Sequence, residues 1–246
     1  MAGVGGWVAK RFWTTASAQA AEGGHAVLLD GRPVRTPAKA PLVVPTRALA
    51  EAIAGEWQAQ GEAIDPRAMP LTRAANSAID TVAAQFDEVA GMIAAYGESD
   101  LLCYRAEAPD ALVRRQAEAW DPWLDWAETG IGARLVVTQG IVAVDQPRDS
   151  LARLADAVHG CTAFELTALH DLVALTGSLV LGLAVARGAL DPVAAWPISR
   201  IDEVWQIEQW GDDEEAAAVA AAKRADFLRA HRFLMLAQAG AGRDGA

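Results

Sequence analysis

The sequence predicts an α+β fold: a small N-terminal α/β two-layer domain with antiparallel strands over residues 1–147, followed by an all-α orthogonal helix bundle over 148–246. Two observations carry this. Residues 11–46 are β-rich segments broken by Gly, Pro and Asp, the punctuation of short strands and tight turns. After Pro147, helical periods succeed one another as far as residue 238. A chain of 246 residues can bury about 70 to 75% of its unfolded surface, so it needs no covalent staples to fold.

The strand segments are 11–19, 25–37 and 41–46. Asp30-Gly31 sits between apolar and alternating residues and predicts a hairpin, because Gly accepts the positive φ of a tight turn. Thr46 is an N-cap candidate, and Leu49, Ile53 and Trp57 recur at i, i+4 and i+8 before Gly61, giving a helix whose apolar stripe packs on the sheet. Ala75, Ile79, Val82, Phe86, Val89 and Ile93 keep a helical period from residue 71 to 96, with a break near Asp87. The run LLCYR at 101–105 is apolar enough for a short strand. Asp110 is placed to cap a helix carrying Leu112, Val113, Gln116 and Trp120, and Asp121-Pro122 to restart it as N-cap and first helical residue. Residues 134–147 have two β-rich arms around Gly140 and predict a second hairpin or strand pair.

Four helices are expected beyond Pro147, over 149–159, 163–187, 191–210 and 212–238. The second carries Ser178, Gly182 and Ala186 at spacing four, small residues that admit a close neighbour and mark a central helix. The last has Asp212, Asp213, Glu214 and Glu215 at its start and Lys223, Arg224, Arg229 and Arg232 later, an order that suits the helix dipole.

A net charge of −11 repels phosphate backbones and anionic lipid, which argues against a nucleic-acid partner. Residues 172–186 form the longest uncharged run, short of the roughly 20 needed to cross a bilayer, so no membrane insertion is expected. The opening residues lack the apolar core of a secretory signal, and the two cysteines, Cys103 and Cys161, suit a reducing compartment. The expectation is a mature-length cytoplasmic protein.

Catalytic and cofactor motifs are weak. GAGRDG at 240–245 fits G-x-G-x-x-G but has no strand before it and no helix after it, and no phosphate loop of the G-x-x-x-x-G-K type occurs. His159 with Cys161, and His170 with Asp171, lack zinc spacing, and no G-x-S-x-G elbow marks a nucleophile. The sequence therefore predicts no catalytic residue, no metal and no cofactor; an enzyme built on His159, Cys161 and His170 is the rival reading. The nine tryptophans suit either a core or a partner surface.

The most informative stretch is SRIDEVWQIEQWG at 199–211. On a helical wheel Ile201, Val204 and Trp205 share one apolar face, with Glu208 in its middle, while Glu203 lies on the other side beside Ile207 and Trp210. A carboxylate on an apolar stripe requires a partner: either an internal Arg neutralises Glu208 or another protein completes the face.

These residues, with KRFW, LDGRPVRTP, MPLTRAANSAID, YGESDLLCYRAEAP, VTQGI and GSLVLGLA in their order and spacing, resemble the assembly chaperones of the F-type ATP synthase that hold the alpha subunit of its catalytic head, also called ATP synthase mitochondrial assembly factor 2. The resemblance implies an α+β domain followed by an all-α bundle, no chemistry, and a partner that is the unassembled alpha subunit, kept from aggregating until beta subunits join; the protein itself is expected to be a monomer. It also implies a functional E-x-x-Q-x-x-x-W-G motif, here Glu203, Gln206, Trp210 and Gly211. Glu208, from the helical wheel, joins Glu203, Gln206 and Trp210 as a candidate partner-binding residue. Mitochondrial matrix members carry a longer leader, so the expected setting of this chain is a bacterial cytoplasm.

Overall fold

The computed structural model describes residues 10–140 and 142–240, which divide into two compact units, one of residues 10–84 with 235–240 and the other of residues 85–140 with 142–234.

The first unit opens on an antiparallel sheet. β1 (Ala16–Ala21) pairs with β2 (Gly24–Leu29), which also pairs with β3 (Arg32–Pro33) and β4 (Val43–Val44). Asp30 and Gly31 both take positive φ, 47° and 77°, so the expected hairpin forms with the turn whose twist matches its strands. The Asp30 carboxylate also accepts hydrogen bonds from the backbone of Thr14 and Thr15 at 2.8 to 3.1 Å, which anchors the chain entering β1. A second turn, at Glu22-Gly23, is absent from the sequence reading and closes β1 on β2.

α1 (Arg47–Gln58) lies on this sheet, and Leu49 and Ile53 are fully buried there. Thr46 caps it as expected: its hydroxyl accepts from the Leu49 amide at 3.1 Å and donates to the Leu236 carbonyl at 2.5 Å. α1 in turn caps α2 (Pro70–Ser77), because the Glu56 carboxylate accepts from the Leu71 and Thr72 amides and the Thr72 hydroxyl at 2.7 to 2.8 Å. A π turn over Ala78–Val82 follows, and the expected break in the helical period falls at residues 83–85.

The second unit comprises α3 (Phe86–Ala94), β5 (Tyr104–Arg105), α4 (Asp110–Gly130), β6 (Thr138–Gln139), α5 (Arg148–His159), α6 (Ala163–Thr176), α7 (Leu179–Ala186), α8 (Pro192–Ile198), α9 (Ile201–Trp210) and α10 (Glu214–Gln238), whose end from Met235 belongs to the first unit. α7 is the middle of it. Every residue from Leu179 to Val185 is buried, against α4, α6 and α8.

Several expectations change here. The helix over 163–187 is two helices: Gly177 adopts φ 72° to close α6, and Ser178 starts α7 by accepting from the Leu181 amide. Ser178 is therefore a cap, and Gly182 makes a close approach, since a Cβ there would stand 2.5 Å from Val173 Cγ2 of α6. The helix over 191–210 is likewise α8 and α9, divided where Ser199 turns its hydroxyl onto the Trp196 carbonyl at 2.8 Å. α4 runs unbroken through Pro122, with Trp120 and Ala127 fully buried on either side of it, and Asp110 lies in its first turn without making a capping bond. Residues 134–147 form no hairpin among the described residues, from which Ile141 is excluded. The Gln146 side chain takes both the amide and the carbonyl of Val136, at 2.8 and 2.9 Å, where a second arm would have paired, and β6 instead pairs in parallel with β5. In 101–105 only Tyr104–Arg105 is extended, after a 3-10 turn over Leu101–Cys103. Pro147 precedes α5 inside the second unit, so the change of character read there is one from loop and short strand to helix.

Candidate partner-binding surface

α9 is packed over its first half and bare over its second. Ile201 is buried and Val204 and Trp205 are half-buried, while Gln206, Ile207, Glu208, Gln209 and Trp210 are exposed. Asp202 and Glu203 in its first turn suit the positive end of the helix dipole. Gly211, at φ 93°, ends the helix immediately after Trp210 and leaves that indole 80% exposed, with Ile207 one turn earlier at 44%.

The four candidate residues separate. Glu208 meets Arg115 of α4 at 2.7 Å, so an arginine does neutralise it, yet the side chains keep 46% and 38% of their surface in water. Hydrogen bonding to Arg115 holds the Glu208 carboxyl below its ordinary range. Glu203 pairs with Arg200 one turn back, also at 2.7 Å. Gln206 and Trp210 face a different feature, an open groove of ≈ 660 Å³ whose other wall is formed by Tyr104–Ala106, Ala108, Pro109, Leu112 and Gly140.

The floor of this groove was not singled out from the sequence. Gln116 of α4, almost fully buried, accepts the Ala106 amide at 2.8 Å, which turns its own NH₂ toward Asp202 of α9, at 2.6 Å. Arg105 is buried beside it, its guanidinium over the Trp120 ring, bonded to the Leu102 carbonyl at 2.8 Å and to Asp121 at 2.7 Å. A cation sandwiched in this way is a structural one. The signal that would have found the floor is the polar Gln116 within the apolar stripe of its helix.

The rival catalytic residues do not assemble. His159 contacts the Ala155 carbonyl, Cys161 the Ala157 carbonyl and His170 the adjacent Asp171. Burial pushes the Cys103 thiol up to about 12 and the Cys161 thiol up to about 11, the opposite of an activated nucleophile. Among the described residues no group of three or more His, Cys, Asp or Glu side chains is placed to hold a metal ion. The GAGRDG segment lies outside the described residues beyond Gly240.

Residues 10–128 match the family model of the ATP12 chaperone protein. Over 93% of this chain and 98% of the other, the fold matches the crystal structure of Atp12 from Paracoccus denitrificans, with a TM-score of 0.91 and 57% identity. The chain belongs to the ATP12 chaperone family. An aspartate-to-lysine variant of the same Paracoccus protein matches equally, at TM-score 0.91 and 56% identity over the same shares of the two chains. The mitochondrial protein atp12 of Schizosaccharomyces pombe is 24% identical over 219 residues, which are 84% of this chain and 75% of that protein. The family resemblance read from the sequence, and the mixed fold with a small N-terminal antiparallel sheet and a helical C-terminal region, thus hold for this ATP12 chaperone. Among the described residues no helix is long and apolar enough to cross a membrane.

Proposed function

We propose that the protein is a chaperone of F-type ATP synthase assembly that binds the unassembled alpha subunit through α9, chiefly its exposed second half, and so prevents its aggregation until beta subunits join. The observation that carries this reading is Trp210, a large apolar side chain left almost wholly in water at the end of the helix that bears the E-x-x-Q-x-x-x-W-G pattern. Tryptophan is enriched among the residues that dominate binding energy, and covering an exposed one rewards association by about 2 to 3 kcal/mol. Glu203, Gln206 and Glu208 share the helix with it. In this reading the protein works as a cytoplasmic monomer without catalysis or cofactor. Free subunits of an obligate oligomer expose surfaces as apolar as a divided core, and a small apolar anchor on an acidic, soluble carrier holds such a surface without trapping it.

The test is turbidity of isolated alpha subunit, without nucleotide, in the presence of an equimolar amount of this protein. Suppression is expected for alpha and much less for beta. Unchanged turbidity of alpha removes the client assignment.

A further inference from the structure

We infer that the groove between α9 and the 104–109 segment takes an extended segment of the client polypeptide that carries a basic residue, with Asp202 receiving the cation and Trp205 and Trp210 covering the apolar part. This deepens the chaperone reading and rests on it.

The charge pattern commits the groove to a cation. Asp202 is half-buried, and its one polar partner among the described residues is the neutral Gln116 amide, which binds Oδ1 and leaves Oδ2 without a partner. The three nearby arginines are engaged elsewhere: Arg105 with Asp121, Arg115 with Glu208, and Arg200 with Glu203. A partly desolvated carboxylate without a cation of its own binds one from outside through a charge-assisted hydrogen bond. The acidic sign also argues against the two other macromolecules that fill grooves. A second copy of a chain with net charge −11, or a nucleic acid, would bring like charge to it.

The lining suits a backbone. Gln206 and Gln209 point exposed amides along one wall, with no hydrogen-bond partner among the described residues. A primary amide matches the donor and acceptor of a peptide unit, and the protein uses this pairing internally where the Gln146 side chain takes both the N–H and the C=O of Val136. Amides that pair with the main chain, with aromatic rings for whatever side chains lie between, recognise an extended segment with little regard to its sequence. That is the selectivity a holder of unassembled chains requires, and the single carboxylate adds a bias toward segments containing Arg or Lys.

Three capped short peptides of Ser, Val and Tyr, differing only in a central Arg, Gln or Glu, test this by calorimetry and by the emission of the groove tryptophans. The Arg peptide should bind about tenfold or more tighter than the other two, the worth of one charge-assisted hydrogen bond. Asp202→Asn retains an oxygen for Gln116 and should abolish the preference, while Trp210→Ala should weaken all three peptides. Equal affinity for the three peptides, an Arg preference that persists in Asp202→Asn, or a self-associated protein that Trp210→Ala renders monomeric would each overturn the assignment. Turbidity of alpha subunit measured alongside separates the two levels. Protection without peptide discrimination removes the groove assignment and leaves the chaperone reading, whereas Arg-peptide binding without protection removes the client.

Discussion

Glu203, Glu208 and Asp100 show how the same chemical group does different work in different surroundings. Glu208 lies on the apolar wheel face, where a buried pair would be costly to break, but its Arg115 partner is half in water, and exposed pairs are screened. Glu208→Ala should therefore leave the melting temperature of the protein unchanged within error. Glu203→Lys loses a pair whose carboxylate is similarly exposed, though its arginine is more covered, and a favourable place in the first turn, about 2 kcal/mol at most. It should fold normally and bind alpha subunit more weakly; a variant that binds as well as wild type removes Glu203 from the contact surface. Asp100 is the buried counterpart, fully enclosed and accepting from the Leu102 and Val180 amides, each at 3.0 Å, at the start of α7. Desolvation raises its carboxyl above the ordinary range despite those bonds, whereas the backbone amides of Thr15 and Thr14 lower that of Asp30. The signs are opposite. The contribution of Asp100 is fully present below the ordinary aspartate value and is lost as pH rises through its raised one, while that of Asp30 is present above the ordinary value and is lost as pH falls through its lowered one. Melting temperatures of wild type, Asp100→Asn and Asp30→Asn between about pH 3 and about pH 7 should show the wild-type advantage over Asp100→Asn growing toward acid and that over Asp30→Asn growing toward neutrality. Differences that run parallel would refute the assignment.

At the scale of elements, α6 and α7 depend on two glycines for separate reasons. Gly177 turns the chain in a left-handed conformation, and Gly182 lets α7 approach Val173. Gly182→Ala gains about 1 kcal/mol of helix propensity but must displace a Val173 methyl that would lie 2.5 Å away within a fully buried helix, a net loss of about 1 to 3 kcal/mol that chemical denaturation will read. An unchanged midpoint would mean that α7 slides to make room. The same pair shows what was legible in the sequence. Periodicity placed helical residues correctly on both sides of position 177, and the Thr46 cap and the Asp30-Gly31 turn, which act over three or four residues, could be read directly. Element boundaries set by tertiary partners could not. α7 begins where Asp100, 80 residues earlier in the chain, supplies an acceptor for Val180, and the described residues of 134–147 stay out of a hairpin because Gln146 occupies the Val136 backbone. The surface of α9 was half legible. The pattern marked Gln206 and Trp210, but the partners of Asp202 and Glu208 come from α4, some 90 positions away.

At the scale of the whole molecule, charge and exposed apolar surface must serve together. The first half of α10 is alanine-rich and largely solvent-exposed, and intrinsic propensity with Asp213 as its cap, accepting from the Glu215 amide at 2.8 Å, keeps it helical where packing does not. The four acids at 212–215 follow Trp210 after a single glycine, so the most exposed tryptophan among the described residues adjoins a dense patch of negative charge. Like charge across a net −11 surface keeps copies of the protein apart, and under the proposed function the same field would draw in a client surface that carries basic groups. Long-range attraction acts on encounter, whereas the apolar anchor, once seated, governs escape. Raising salt from about 0.01 M to about 0.15 M shortens the screening length from about 30 to about 8 Å, and over that range the association rate with alpha subunit should fall by about tenfold or more while the dissociation rate changes little. Trp210→Ala should do the reverse, accelerating dissociation and leaving the salt dependence of association intact. Stopped-flow mixing of the two proteins at several salt concentrations separates these effects. An association rate indifferent to salt would mean that the acidic patch serves solubility alone, and that the client is recognised by its apolar surface without electrostatic guidance.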